Sequence, residues 1–139
     1  MSQFGSHLNA LDRYLRRCRR EYMAPFGLRG LHARMFLAIA RTPGCSQDQL
    51  SKRMGFDKST VARQLEDLEN KGFVTRQPSE KHKRMLCVYP TEAMGQILPG
   101  LCAATKQWED VLLQDLTEDE KQVLVDLLTR LHARADKEA

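Results

Sequence analysis

The sequence predicts a mostly α-helical fold carrying one small β-hairpin. Three features predict it. Apolar residues recur at helical spacing in six stretches. Ser46, Asp57, Thr91 and Thr117 each stand just ahead of such a stretch, where a short side-chain oxygen can cap the free N–H groups of a first turn. One pair of short β-prone runs flanks a charged turn.

The first helix is expected over residues 6–23. Leu8, Leu11, Leu15, Cys18 and Tyr22 step by 3, 4, 3 and 4 and make a single seam, while Arg13, Arg16, Arg17, Arg19 and Arg20 occupy the rest of its surface. Pro25 and Gly27 end it. A second helix over 30–41 places Leu31, Met35, Phe36 and Ile39 on one side, and Thr42-Pro43-Gly44 turns the chain. The third starts at Ser46, with Gln49 completing a capping box, and stops near Met54-Gly55. The fourth starts from Asp57 and runs to about Lys71, with Gly72 as its stop. Strands are expected at 73–76 and 85–89, joined by the polar stretch 77–84. Thr91 caps a fifth helix reaching about Leu113, in which Pro99 marks a kink or a break. Thr117 and Glu120 form a capping box for the sixth, whose stripe is Val123, Leu124, Leu127, Leu128 and Leu131.

Composition narrows the function classes. The net charge is +4, unevenly spread: residues 1–41 carry eight Lys/Arg against two Asp/Glu, residues 42–91 nine against six, and residues 92–139 five against ten. A basic front and middle with an acidic end suits a polyanion on one side only. No apolar run approaches the ~18 residues of a membrane helix, and the N-terminal stretch does not read as a signal peptide. The cysteines Cys18, Cys45, Cys87 and Cys102 are far apart with no CxxC, so they read as reduced thiols of a cytoplasmic protein.

Residues 44–89 carry the functional signal. Two short capped helices meet at Gly55-Phe56, a third follows, and a hairpin with a charged tip closes the unit; this is the order of a winged helix-turn-helix. On the fourth helix, Val61, Leu65 and Leu68 form one buried face. Ser59, Thr60 and Arg63 project from the opposite side, with Gln64 on the flank and Lys58 in the first turn. Arg can fork onto guanine, Gln onto adenine, and Ser or Thr onto phosphate or base. By itself this helix also reads as an ordinary amphipathic one; the capped helix before it and the hairpin after it favour DNA. Gln47 joins the DNA-contacting set, as do His82, Lys83 and Arg84 of the wing tip, where a long side chain can enter a minor groove.

CSQDQLSKRMGFDKSTVARQLEDLENKGFVTR, a basic wing and YPTEAMGQILPGL resemble the MarR/SlyA family of bacterial regulators over nearly the whole chain. The resemblance implies a homodimeric DNA-binding transcriptional regulator, a repressor acting on a pseudopalindromic operator. Residues 1–27 and 92–139 would supply N- and C-terminal dimerisation helices, and residues 28–91 the winged helix-turn-helix region, all within one integrated domain. It also implies release by a small aromatic or phenolic effector between the dimerisation helices and the reading head, for which Arg17, His32 and Phe36 are the candidate lining residues. In the family pattern an Asp precedes the wing Arg by two residues; here Arg84 matches the Arg, His82 stands at the Asp position, and Glu80 is the candidate substitute. Pro90-Thr91 replaces the usual Leu-Thr, and Thr91 still suits a cap.

Other chemistries find less support. His7, His32, His82 and His132 do not pair with cysteines at ligand spacing, so no metal and no cofactor is expected. No Gly-rich phosphate loop or HExxH appears, so an enzyme is not expected. Cys18 lies between Arg17 and Arg19, which favours a thiolate and keeps redox sensing as an alternative, although its place on the seam favours burial. A further alternative is a winged-helix module binding an acidic protein partner.

Overall fold

The computed structural model of the chain describes residues 2–138. Helix α1 spans Gln3–Met23 and starts ahead of the apolar seam because the Ser2 hydroxyl accepts the Gly5 N–H at 3.1 Å and caps the first turn. A single 3-10 turn over Ala24–Phe26 closes it, and α2 follows at Gly30–Arg41. The two helices approach closely at one point: a Cβ on Gly30 would lie 3.1 Å from the Arg20 backbone nitrogen, so glycine permits the contact.

Helices α3 (Gln47–Met54) and α4 (Lys58–Asn70) form the helix-turn-helix. The expected capping box is present: the Gln49 N–H donates to Ser46 Oγ at 3.1 Å and the Ser46 N–H to Gln49 Oε1 at 2.9 Å. Gly55 ends α3 at φ 70°, in the left-handed region that glycine enters without strain. The Ser51 hydroxyl donates to the Phe56 carbonyl, and the Arg34 guanidinium lies 5.6 Å from the centre of the Phe56 ring. These contacts fix the turn that sets α4 against α3.

The hairpin belongs to a three-stranded antiparallel sheet in the order β1 (Cys45–Ser46), β3 (Leu86–Pro90), β2 (Val74–Pro78). The register pairs Arg76 with Val88 and Pro78 with Leu86, so the ladder runs further into the polar stretch than the apolar pattern suggested. Pro78 closes an edge strand, where its missing N–H costs little. β1 pairs Cys45 with Val88; two residues are too few for a strand period to register in sequence.

Helix α5 (Glu92–Leu113) runs through Pro99. Thr91 joins it to the wing base, donating its hydroxyl to the Gly72 carbonyl at 2.7 Å and accepting the Met94 N–H at 3.4 Å. Helix α6 (Glu118–Glu138) opens on the reciprocal Thr117–Glu120 box, with bonds of 2.9 and 3.2 Å. The chain divides into two compact units, Met1–Ala104 and Thr105–Ala139. In the first, Met35, Phe36 and Ile39 of α2, Leu50 of α3, Val61, Leu65 and Leu68 of α4, Val74 and Val88 of the sheet, and Met94 and Leu101 of α5 are at most 1% exposed. Burial of these apolar surfaces is the main term holding the reading head together. The Phe36 and Phe73 rings meet at 5.5 Å between centroids, joining α2 to the wing base. Helix α6 contributes no buried residue, and Val123, Val125, Leu127, Leu128 and Leu131 along it are 44–56% exposed.

Candidate nucleic-acid interface

The apolar side of α4 fixes which residues face outward. Val61, Leu65 and Leu68 are sunk in the core, which leaves Ser59 and Arg63 exposed and Thr60 half-exposed. The helix start is tightly capped: Asp57 Oδ1 accepts the Thr60 N–H at 2.6 Å and the Ser59 hydroxyl at 3.0 Å. The Thr60 backbone bond, then the Thr60 and Ser59 hydroxyls, hold the Asp57 carboxyl below the usual carboxylate range. Arg63 Nη2 donates to Thr60 Oγ1 at 3.3 Å, so Ser59, Thr60 and Arg63 form one continuous donor-rich edge. Lys58 is exposed beside it, 3.4 Å from Asp48 Oδ2 on α3.

Two further residues from the sequence-based set are engaged within the fold. Gln64 turns to the core, where its Oε1 lies 2.9 Å from His32 Nε2. Gln47 Oε1 accepts from Arg76 Nη1 at 3.0 Å. Arg76 itself escaped sequence reasoning. Its Nε and Nη2 donate to Glu69 Oε1 at 3.2 and 3.0 Å, and its backbone N–H donates to Glu69 Oε2 at 3.0 Å. This clamp ties β2 to α3 and α4 at once, and so seats the wing against the helix pair.

The wing tip is exposed from Glu80 to Arg84, which leaves His82, Lys83 and Arg84 reaching outward. Its backbone is organised from Ser79: the hydroxyl accepts the Lys81 and His82 N–H groups at 3.3 and 3.4 Å, and the Ser79 N–H donates to the Met85 carbonyl at 2.8 Å. A serine turn thus does the fixing for which Glu80 was the sequence-based candidate.

Of the three residues considered for an effector pocket, His32 and Phe36 share the buried side of α2, and Arg17 lies elsewhere, on α1. His32 and Phe36 are fully buried, and Arg17 lies on an open groove along α1 with Arg13 and Tyr14. A cleft of about 550 Å³ opens instead between α1, α2 and the α3–α4 turn. Arg16, Arg19, Arg20, Arg29 and Arg34 surround it, over Leu28, Leu31 and Phe56. Burial, then the neighbouring Arg34 charge, lower the Arg19 pKa, as expected where like charges crowd. Cys18 is half-buried. Among the described residues, no three His, Cys, Asp or Glu side chains gather as metal ligands, and no helix is long and apolar enough to cross a membrane.

A capped helix pair, an outward polar edge and a basic hairpin tip define a winged helix-turn-helix domain. A family model described as the MarR family matches residues 26–85. The chain is 34% identical over 93 residues to the HTH-type transcriptional regulator BilQ of Clostridium symbiosum (strain WAL-14163), covering 67% of this chain and 65% of that one. It is similar to the crystal structure of MarR, with a TM-score of 0.87 at 29% identity over 99% of this chain and 93% of the other. It also shares the fold of a MarR family regulator from Listeria monocytogenes solved with a 26mer DNA, with a TM-score of 0.93 at 20% identity over 99% and 92% of the two chains. The alignments with curated relatives, HTH-type and other transcriptional regulators, span 52–67% of those proteins' length.

Proposed function

We propose that this protein is a cytoplasmic transcriptional repressor that binds double-stranded DNA as a homodimer on a pseudopalindromic operator. The observation that carries the reading is the outward edge of Ser59, Thr60 and Arg63 on a helix whose other face is locked in the core. Arg63 is placed to fork onto a guanine, while Lys58, Lys83 and Arg84 supply the charge that holds phosphates. The match to the MarR family model and the fold shared with a DNA-bound regulator support the same reading.

The dimer is supported by apolar residues the single chain leaves exposed: Phe4, Leu8 and Leu11 on α1, and Val123, Leu127, Leu128 and Leu131 on α6. Such stripes are ordinarily covered by a partner. Two reading helices about one DNA turn apart, ~34 Å, would then occupy successive major grooves and block polymerase. The effector of this repressor is a small aromatic or phenolic anion, and the arginine-walled cleft with its Phe56 floor suits one better than the buried His32 and Phe36 do. Binding there would shift the two heads away from the competent spacing.

Titrating a duplex of random sequence at increasing salt tests the DNA reading. Steeply salt-dependent binding is expected. Salt-insensitive or absent binding would point instead to a module for an acidic protein. Benzoate should weaken binding by the unaltered protein and not by Arg20→Ala; equal weakening of both would remove the cleft from the proposal.

A further inference from the structure

His32 is fully buried at the start of α2, yet it is a polar ring with both nitrogens in use. Its Nδ1 accepts the Arg29 N–H at 3.0 Å. An acceptor nitrogen carries no proton, so the neutral ring must be protonated at Nε2 and donate to Gln64 Oε1, 2.9 Å away. The charged groups around the ring come from both elements packed on it: Arg29 at the head of α2, Asp67 on α4, and Lys71 just past the end of α4. Asp67 Oδ2 lies 3.9 Å from Nε2 and 3.2 Å from Lys71 Nζ, which in turn donates to the Gly27 carbonyl at 3.1 Å. One line of directional bonds therefore runs from the α1–α2 connection through the buried His32 to Gln64 on α4, and a second, exposed line through Lys71 ties the same connection to Asp67 one turn further on.

The rest of the core side of α4 is held by Val61, Leu65 and Leu68. Apolar contact is not directional, and it tolerates small rotations of a helix about its own axis. A hydrogen bond weakens steeply as its angle departs from linear. Gln64 is the residue next to Arg63, so whatever fixes Gln64 fixes the direction in which Arg63 leaves the helix.

We infer that His32 is a positioning residue for DNA reading, acting through Gln64 to set the rotation of α4 and hence the register of Thr60 and Arg63 on the bases. This rests on the reading of α4 as the DNA-contacting helix. It gives Gln64 an inward task, distinct from direct contact with a base.

The test compares the unaltered chain with Gln64→Leu, His32→Phe and the double variant. For each, the affinity for a selected operator is divided by the affinity for scrambled duplex, and the salt slope is recorded. Each single variant should lower that ratio about five- to tenfold, the size expected from one lost core hydrogen bond. The loss should spread over every base pair under α4, and the double variant should lose no more than the worse single one, since both remove the same bond. The salt slope should not move, because the phosphate contacts remain. Gln64→Leu leaves His32 in place and carries the test if His32→Phe fails to fold. Nitrogen NMR of the unaltered protein should show His32 as the Nε2–H tautomer; the Nδ1–H tautomer would overturn the proposal. So would a Gln64→Leu variant relaxed at a single base pair, which would make Gln64 a direct reader, or variants whose ratio matches the unaltered chain. Failure of the unaltered chain to bind any duplex would instead remove the DNA reading, and this inference with it.

Discussion

Helices α4 and α6 carry the same kind of apolar stripe, and the fold treats the two differently. On α4, Val61, Leu65 and Leu68 are at most 1% exposed, on a helix packed against α3 and strand β2. On α6, Val123, Leu127, Leu128 and Leu131 are 44–56% exposed, and no residue of the helix is buried. Helical periodicity therefore marks a face that wants cover without saying which chain supplies it. In the reading head the chain covers its own stripe and thereby aims a polar edge outward. In α6 the stripe remains as material for an interface.

The largest expected effect separates the two directly. Leu65→Ala should lower the free energy of unfolding by about 2–5 kcal/mol, because it empties a fully packed site. Denaturant unfolding at any protein concentration should show it. Leu128→Ala should leave the unfolding of dilute, dissociated protein close to that of the unaltered chain and shift the monomer–dimer equilibrium toward monomer, as read by sedimentation. An α6 variant that destabilised the dilute protein as much as Leu65→Ala would erase the contrast.

Within the reading head the same logic grades the outward residues. Arg63→Ala should cost on the order of 1–3 kcal/mol of operator binding and relax preference at one position. Unchanged preference across mutated operators would count against base reading. Lys83→Ala should weaken binding to all sequences alike and reduce the salt slope by about one unit; an unmoved slope would take the wing tip off the phosphates.

The smallest expected effect is a pH dependence of stability. Burial lowers the pKa of His32, outweighing the Gln64 bond and the Asp67 charge that act to raise it. A histidine whose folded pKa lies below its unfolded value leaves stability at its full level above about pH 6.5. As the pH falls below that, the unfolded chain takes up the proton first and stability declines until the folded pKa is reached. His32→Phe should lack this segment of the pH–stability curve, and an identical curve in both proteins would argue that His32 does not stay neutral.

Sequence signals held at three helix starts where the physics was local, although the equally local Ser2 cap that starts α1 ahead of residue 6 escaped sequence reasoning. Ser46 with Gln49, Thr117 with Glu120, and Asp57 with the Thr60 N–H are caps closed within a single turn, so spacing alone reveals them. The buried face of α4 followed from its period, and with it the outward set of Ser59, Thr60 and Arg63. What the sequence did not reveal depends on residues far apart in the chain. The Arg76 bond to Gln47 spans 29 positions and the His32 bond to Gln64 spans 32. Residue type marks these side chains as polar and available, and only tertiary packing decides that they turn inward. The arginine cleft is similar: its α1 and α2 walls meet because Gly30 admits a close backbone approach, which no local pattern announces.

Selection of bound duplexes from a random pool should enrich a two-fold symmetric sequence, its halves centred about one helical turn apart, ~34 Å, with two chains on each duplex. Recovery of no shared sequence, or of an asymmetric one held by a single chain, would contradict the homodimeric DNA reading.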